Sequence, residues 1–186
     1  MFRTNLTLRK WHIIGFFWIV IVGSLLHFTY EWSGRATIVG FFSSVNESLW
    51  EHLKLGYFSL TFFMLLDYWV LRNKTSGYFA AKASGIVSMN LLIVVANTIY
   101  EAIVDSPSAV FHIALFIAGA FLCQYVSLNI MRRHVSSRWN YIGFFVYVAL
   151  GLFHIILTPY QISKEAFKFI SFLALLHIGK LPLYLL

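Results

Sequence analysis

Long apolar runs separated by short polar connections make up most of this chain. The apolar runs cover residues 11 to 31, 55 to 72, 80 to 100, 108 to 131, 139 to 158 and 165 to 186. Each is close to the roughly 20 residues that an α-helix needs to cross the hydrocarbon core of a bilayer. Because backbone groups in lipid must be satisfied within the element, runs of this length are predicted to be helices and not barrel strands. The pattern predicts an all-α membrane bundle of about six transmembrane helices in a single domain, residues 1 to 186.

The composition agrees with this prediction and excludes an ordinary soluble domain. Of the 186 residues, 60% are hydrophobic and only 11% are charged, which lies outside the usual range of soluble globular proteins. The single cysteine, Cys123, lies inside an apolar run. One cysteine excludes a disulfide framework or a thiolate cluster built within the chain.

Positive charges are concentrated in alternate connections between the predicted helices. The residues that share this side are Arg3, Arg9, Lys10, Arg72, Lys74, Lys82, Arg132, Arg133 and Arg138. The other side holds most of the acidic residues, namely Glu31, Glu47, Glu51, Glu101, Asp105 and Glu165. By the positive-inside rule this pattern predicts a multi-pass protein of the cell membrane with both termini cytoplasmic. The excess of Lys and Arg thus indicates orientation and not nucleic-acid binding. The expected partners are the lipid bilayer and either membrane partner subunits or further copies of the chain.

Residues 44 to 56 form an unusually polar stretch at the start of the second predicted span. An ionisable group at the centre of a membrane helix costs roughly 2.5 to 3.5 kcal/mol, so a cluster of them indicates a functional site. Ser44 and Glu47 match the Ser-x-x-Glu capping box, which predicts that a helix begins at Ser44 and continues into the span. The alternative is a break at Gly56 after an interfacial segment.

Helical spacing predicts that the polar residues of this stretch share one side of the helix. These residues are Glu47, Ser48, Glu51, His52 and Lys54. His27 and Glu31, spaced i and i+4, end the first predicted span, and the chain reversal brings them to the same outer level. The same topology places further polar residues in the outer half, namely Asn97, Tyr100, Glu101, His112 and His154. Asp67 lies toward the opposite side, where it is expected to pair, for example with His12, or to stay protonated.

These residue types leave three uses open. Imidazole with carboxylate suits zinc or another divalent metal ion, and the candidate ligands are His27, Glu47, Glu51 and His52. Carboxylates with a lysine suit the binding or proton-coupled movement of a small polar solute, with Glu31, Asn46, Glu47, Ser48, Glu51 and Lys54 as candidates. Ser48-x-x-x-His52 suits acid-base or metal-assisted hydrolysis, with His27 and His52 as ligands and Glu47 or Glu51 as general base.

We therefore expect an outward-facing polar pocket that binds a metal ion or small solute in a transport or binding component. A metal-dependent intramembrane hydrolase is the first alternative. The second is a structural or accessory membrane protein, in which the motif fixes the first helix against the second.

The sequence from Val45 to Gly56, together with His27 to Gly34, resembles a family of small bacterial membrane proteins of unknown function. The signature of that family is close to Asn-Glu-Ser-x-Trp-Glu-His-Leu-Lys, and here it reads Asn46 to Lys54. The match is specific over residues 25 to 60 and looser to about residue 150. The resemblance implies a bacterial cytoplasmic membrane location and brings no activity with it.

A weaker resemblance is to the seven-helix membrane hydrolases that include alkaline ceramidases and adiponectin-receptor-like proteins. Ser48-x-x-x-His52, with Asp67 downstream, is similar to the first part of their zinc motif. The later His-x-x-x-His pair of that motif is missing, because neither His154 nor His177 has a partner at that spacing.

Overall fold

The computed structural model describes residues 2–104 and 108–178, with side chains over 5–104 and 108–160. Apart from short connections, the described residues are helical and include no strand, which confirms the all-α prediction. The elements are α1 (Phe2–Trp32), α2 (Thr37–Gly40), α3 (Leu49–Leu71), a 3₁₀ turn (Arg72–Lys74), α4 (Tyr78–Ile103), α5 (Ala109–Met131) and α6 (Ser137–Ile178).

Four of the described helices are long and apolar enough to cross a membrane. Their spans are Asn5–Trp32, Tyr78–Ile103, Ala109–Met131 and Ser137–Tyr160. The predicted count of six spans is not confirmed. Helix α3 is not one of the four, since it carries Glu51, Lys54 and Asp67 within its length. It packs against α1, α4 and α5 and buries about half of its residues, so these charges face other helices.

One continuous helix stands where the sequence predicted two. Helix α6 runs from Ser137 to Ile178 and passes through Pro159, whereas separate helices were predicted over 139 to 158 and 165 to 186. A proline removes one backbone hydrogen bond and bends a helix, but it does not have to end it. The residues 179–186 lie outside the described part of the chain, as do the side chains of Glu165 and His177. The prediction that both termini share one side depended on six spans and is likewise not confirmed.

Helix α3 begins later than predicted, because the residues before it are held in turns. The helix starts at Leu49 with Ser48 at the N-cap position, so the predicted capping box at Ser44 is wrong. The Ser44 hydroxyl donates to the carbonyl of Asn46 at 2.6 Å, and the Asn46 side-chain oxygen accepts from the Ser48 N–H at 3.0 Å. Such local bonds compete with helix formation. The alternative break at Gly56 is also absent, because α3 is continuous there.

The basic connections meet at one end of the bundle, as the charge pattern predicted. Leu8 of α1 packs in one apolar cluster with Leu71 and Met131, which end α3 and α5. The Val135 N–H donates to the Ser76 hydroxyl at 2.9 Å and joins the two connections. The cations gathered around the depression between them are Arg72, Lys74, Arg132 and Arg133. We call this the basic end.

Helices α4 and α5 form the most extensive helix pair, and a glycine permits their close approach. A Cβ atom added at Gly85 would lie 2.7 Å from the backbone oxygen of Cys123. The small-residue spacing Ala81-x-x-x-Gly85 therefore serves packing, and Ala81 itself is fully buried.

Asp67 is part of a buried ion pair near the basic end. Its carboxylate pairs with Lys82 of α4 and accepts a hydrogen bond from the Tyr78 hydroxyl. His12 is not its partner. The His12 ring instead contacts the Leu8 carbonyl through Nδ1 at 2.7 Å and the Ser127 hydroxyl through Nε2 at 3.1 Å.

Candidate metal centre

Three side chains from separate segments converge at the end of the bundle opposite the basic end. His27 lies near the end of α1, Glu47 in the connection before α3, and His52 in the first turn of α3. One ligand atom from each lies within 4.8 Å of the other two. The His27 Nε2 and Glu47 Oε2 atoms lie 3.5 Å apart. We call these three residues the metal cluster.

The spacing of the metal cluster suits a tetrahedral ion after small side-chain adjustments. Zinc binds imidazole nitrogen and carboxylate oxygen at about 2.0 to 2.2 Å, which puts ligand atoms roughly 3.4 Å apart in a tetrahedron. The His27 to Glu47 distance already matches this value. The side chain of Glu47 is 81% exposed, so it has the freedom to move the remaining distance. Two histidines and one carboxylate form a known set of zinc ligands.

The ring of His52 has a defined tautomer. Its Nδ1 lies 3.1 Å from the backbone carbonyl of Ser48, and since a carbonyl can only accept, Nδ1 carries the proton. The lone pair is therefore on Nε2, and such a second contact is how proteins orient metal-binding histidines.

The electrostatics around His52 favour the neutral ring that a metal ion requires. His52 lies in the first turn of α3, before the apolar stretch of that helix that begins at Leu55. Burial is the largest cause that lowers its pKa; the Ser48 carbonyl and Glu47 act in the opposite direction, and His27 and His112 lower it further. Because its pKa is lowered, the ring stays uncharged down to a lower pH. An uncharged ring can bind a cation.

A cavity of about 570 Å³ adjoins the metal cluster between α1, α3, α4 and α5. Its polar lining consists of Ser24, His27, Glu47, His52, Asn97, Glu101 and His112, and its apolar side chains include Val20, Leu55, Ile93, Leu115, Phe116 and Ile117. On α1, α4 and α5 the polar lining residues lie closer to the outer helix ends than Val20, Ile93 and Phe116, which line the cavity deeper in the bundle. The cavity is therefore amphipathic.

Four of the polar lining residues were not among the predicted ligands, namely Ser24, Asn97, Glu101 and His112. The ring of His112 stacks against His52 with centroids 6.0 Å apart. Asn97 is only 2% exposed, and its Oδ1 atom has no hydrogen-bond partner within the described side chains. Glu101 lies one turn beyond Asn97 on α4. The topology had placed Asn97, Glu101 and His112 in the outer half, but only the packing of α4 and α5 against α3 directs these three to one cavity.

Glu51 and Lys54 belong to a separate centre and not to the metal cluster. Both side chains are fully buried, and Lys54 Nζ lies 2.6 Å from Glu51 Oε2. Lys54 also donates to the carbonyl of Gly40 at 2.8 Å, and the same Glu51 oxygen accepts from the Val45 N–H at 3.0 Å. We call this pair and its two backbone contacts the buried clamp. It fixes the connection between α2 and α3 just before Glu47.

The remaining predicted site residues lie around this connection. Glu31 pairs with Arg35 on the surface at 3.1 Å and does not line the cavity. The prediction that five polar residues share one helix side is wrong, because Glu47 precedes α3. In addition, His52 lines the cavity, whereas Glu51 contacts Val45 and Lys54 contacts Gly40. Asn46 stabilises the turn before α3, because its side-chain oxygen accepts from the Ser48 N–H. The hydroxyl of Ser48 has no partner among the described atoms, and His52 contacts the carbonyl of Ser48 instead.

Comparison with known proteins places the chain in a family but brings no activity. A model described as a family of unknown function, DUF6512, matches residues 1–169. The chain belongs to this family. No curated protein and no solved structure matches it.

In this DUF6512 chain, His52 and Asp67, on which the weaker resemblance to seven-helix hydrolases depended, lie far apart. Asp67 lies fifteen residues after His52 on one continuous helix, which is about 22 Å at 1.5 Å per residue. It pairs with Lys82 near the basic end. Asp67 therefore does not join His52 in one site.

Proposed function

We propose that this chain is a multi-pass membrane protein that binds a divalent transition metal ion of the zinc type at His27, Glu47 and His52. The observation that carries the proposal is the convergence of three ligand atoms within 4.8 Å from three separate segments. Four helices that could span a membrane support the location. The resemblance noted in the sequence suggests a bacterial cytoplasmic membrane.

The orientation follows from the charge distribution. The basic end is assigned to the cytoplasmic side by the positive-inside rule, which puts the metal cluster at the outer side. Glu47 is largely exposed and His27 is partly exposed, so an ion reaches the cluster without opening the bundle. A site that faces outward and exchanges its ion suits a binding or transport component.

The number of protein ligands also supports a site that can exchange its ion. Structural zinc sites are closed by four protein ligands, whereas three protein ligands leave a position for water or another molecule. The metal cluster supplies three, and all three residues line the cavity, so a molecule in the cavity would be placed to supply the fourth ligand. When bound, the ion provides a Lewis-acidic centre at that position.

The direct test is metal analysis of the purified protein. The protein is loaded with zinc, passed over a desalting column in a mild detergent, and its metal content is measured beside a His27→Ala, His52→Ala double variant. We expect close to one zinc per wild-type chain and little in the variant, with similar thermal stability of the two metal-free proteins. Equal zinc in both proteins, or none in the wild type, contradicts the proposal.

A metal-dependent hydrolase is the second candidate, and the open fourth position is what favours it. A bound ion would lower the pKa of a water molecule at that position and so supply a nucleophile near neutral pH. Glu51, one of the two predicted general bases, is held in the buried clamp and does not line the cavity. Zinc-dependent turnover of an ester or amide amphiphile favours this candidate, whereas binding without turnover favours the first.

A further inference from the structure

The cavity beside the metal cluster is much larger than a metal ion needs, and most of its side chains are apolar. Its volume of about 570 Å³ lies within the range of sites for small molecules. The polar groups are collected at one end, while Leu55, Leu115 and Phe116 line the interior. A ligand that fits this arrangement has one polar head and one apolar chain.

The cavity also reaches the outer surface of the bundle between α1 and α5. Among its lining residues, Phe28 of α1 is 52% exposed, and Ile113 and Ile117 of α5 are 62% and 38% exposed. Both helices are among those that could span a membrane, where such side chains contact acyl chains. The apolar part of the cavity is therefore continuous with a lipid-facing surface, and an amphiphile can enter sideways.

Charge and hydrogen bonding select the head group. A divalent ion bound to two neutral imidazoles and Glu47 leaves one positive charge, which an anionic oxygen at the fourth position neutralises. Glu101 is exposed to solvent, which screens its charge. Asn97 also lines the cavity and is 2% exposed; its amide N–H₂ group, and not its oxygen, is the part of the side chain that can donate a hydrogen bond to a carboxylate.

We infer that the cavity takes a single-chain amphiphile with a carboxylate head, such as a fatty acid. One carboxylate oxygen fills the open metal position, and the acyl chain lies along the apolar side chains between α1 and α5. This inference depends on the proposed metal site.

The test uses cobalt as a spectroscopic substitute for zinc, because Co²⁺ absorbs visible light and responds to its ligands. The full-length protein in maltoside detergent is loaded with Co²⁺ and titrated with acetate, butanoate, hexanoate and octanoate, with octanol as the uncharged control. We expect every carboxylate to change the cobalt spectrum. The apparent affinity is expected to rise about fourfold for each methylene that is buried, and octanol is expected to leave the spectrum unchanged.

Two variants fill the cavity without removing a metal ligand, namely Ile117→Trp and Ser24→Phe. Both are expected to bind Co²⁺ as the wild type does and to lose the dependence on chain length. The matched control is Ile156→Trp, at a 69% exposed position of α6 that does not line the cavity. It is expected to keep that dependence.

The outcomes separate this inference from the proposed metal site. If Co²⁺ binds but acetate and octanoate bind equally well, or if both filled variants keep the chain-length dependence, the inference about the amphiphile is wrong and the metal site stands. If the wild type binds no Co²⁺, the proposed metal site fails and this inference fails with it.

Discussion

The Nε2 atom of His27 and the Oε2 atom of Glu47 lie 3.5 Å apart, although they belong to segments on opposite sides of a chain reversal. The reversal begins at Gly34 and Arg35, which both have a positive φ angle, and it returns the chain toward α1. Ser43 then ties the returning segment to α1, because its hydroxyl accepts from the Tyr30 N–H at 2.9 Å. The metal cluster therefore depends on the fold of residues 33 to 48 as much as on α1 and α3.

Removing His52 is expected to abolish metal binding with little effect on the fold. The loss of a residue that only supports a ligand typically costs 10- to 100-fold in metal affinity, so the loss of a ligand should cost at least about 100-fold. The measurement is zinc titration of His52→Ala against a chelating dye. His134→Ala is the matched control, because His134 is exposed in the connection at the basic end. If His52→Ala binds zinc as tightly as the wild type, His52 is not a ligand of the metal ion.

The buried clamp is expected to position Glu47 for the metal ion. Lys54→Met leaves Glu51 buried without its partner, and breaking a buried pair costs about 3 to 5 kcal/mol of stability. Because the clamp also holds Gly40 and Val45, we expect zinc affinity to fall about tenfold as well, a loss at the level of a supporting residue.

Lys82→Met is the control for the clamp. It breaks the other buried ion pair of α3, with Asp67, which lies near the basic end. We expect a comparable loss of stability, measured by thermal unfolding in detergent, and no loss of zinc affinity. If the two variants change zinc affinity equally, the clamp has no special role in the site.

The sequence predicted most of the helices and the proximity of His27, Glu47 and His52, but not the other residues around the cavity, and the reasons are physical. Apolar runs of span length depend on local composition, so five of the predicted spans correspond to helices. The predicted start of α3 was wrong because the side chains of Ser44 and Asn46 form hydrogen bonds within turns and do not cap a helix. The contributions of Asn97 and His112 depend on how α4 and α5 pack, which no local pattern records. The proximity of His27 and His52 was predicted because the helix ends that carry them were expected at one level of the membrane.

Acidification is expected to destabilise the metal-free protein through His52. Burial lowers its pKa in the folded state, below the value of about 6.5 of an unfolded chain. The neutral ring therefore contributes stability that is fully present above pH 6.5 and is lost as the pH falls from there through the folded-state pKa.

The check compares the thermal midpoints of wild type and His52→Gln between pH 8 and pH 5. We expect the wild type to lose more stability than the variant below pH 6.5. Parallel curves for the two proteins mean that His52 titrates in the same way in the folded and unfolded states.

The basic end is expected to face the cytoplasm. Arg133→Cys lies at the basic end and Trp32→Cys at the opposite end, and both positions are exposed. The single native cysteine, Cys123, is buried and does not compete for reagent. In intact cells a membrane-impermeant maleimide should label Trp32→Cys and not Arg133→Cys, and both should be labelled after lysis. The reverse pattern contradicts the proposed orientation.

The most direct test of the metal site is the stoichiometry of zinc binding at equilibrium. Zinc is titrated into purified metal-free protein and bound ion per chain is measured for the wild type and for the variant His27→Ala, Glu47→Gln, His52→Ala. We predict one tight site per wild-type chain and none in the variant. A wild type that binds no zinc, or a variant that binds it equally well, contradicts the assignment of His27, Glu47 and His52 as a metal centre.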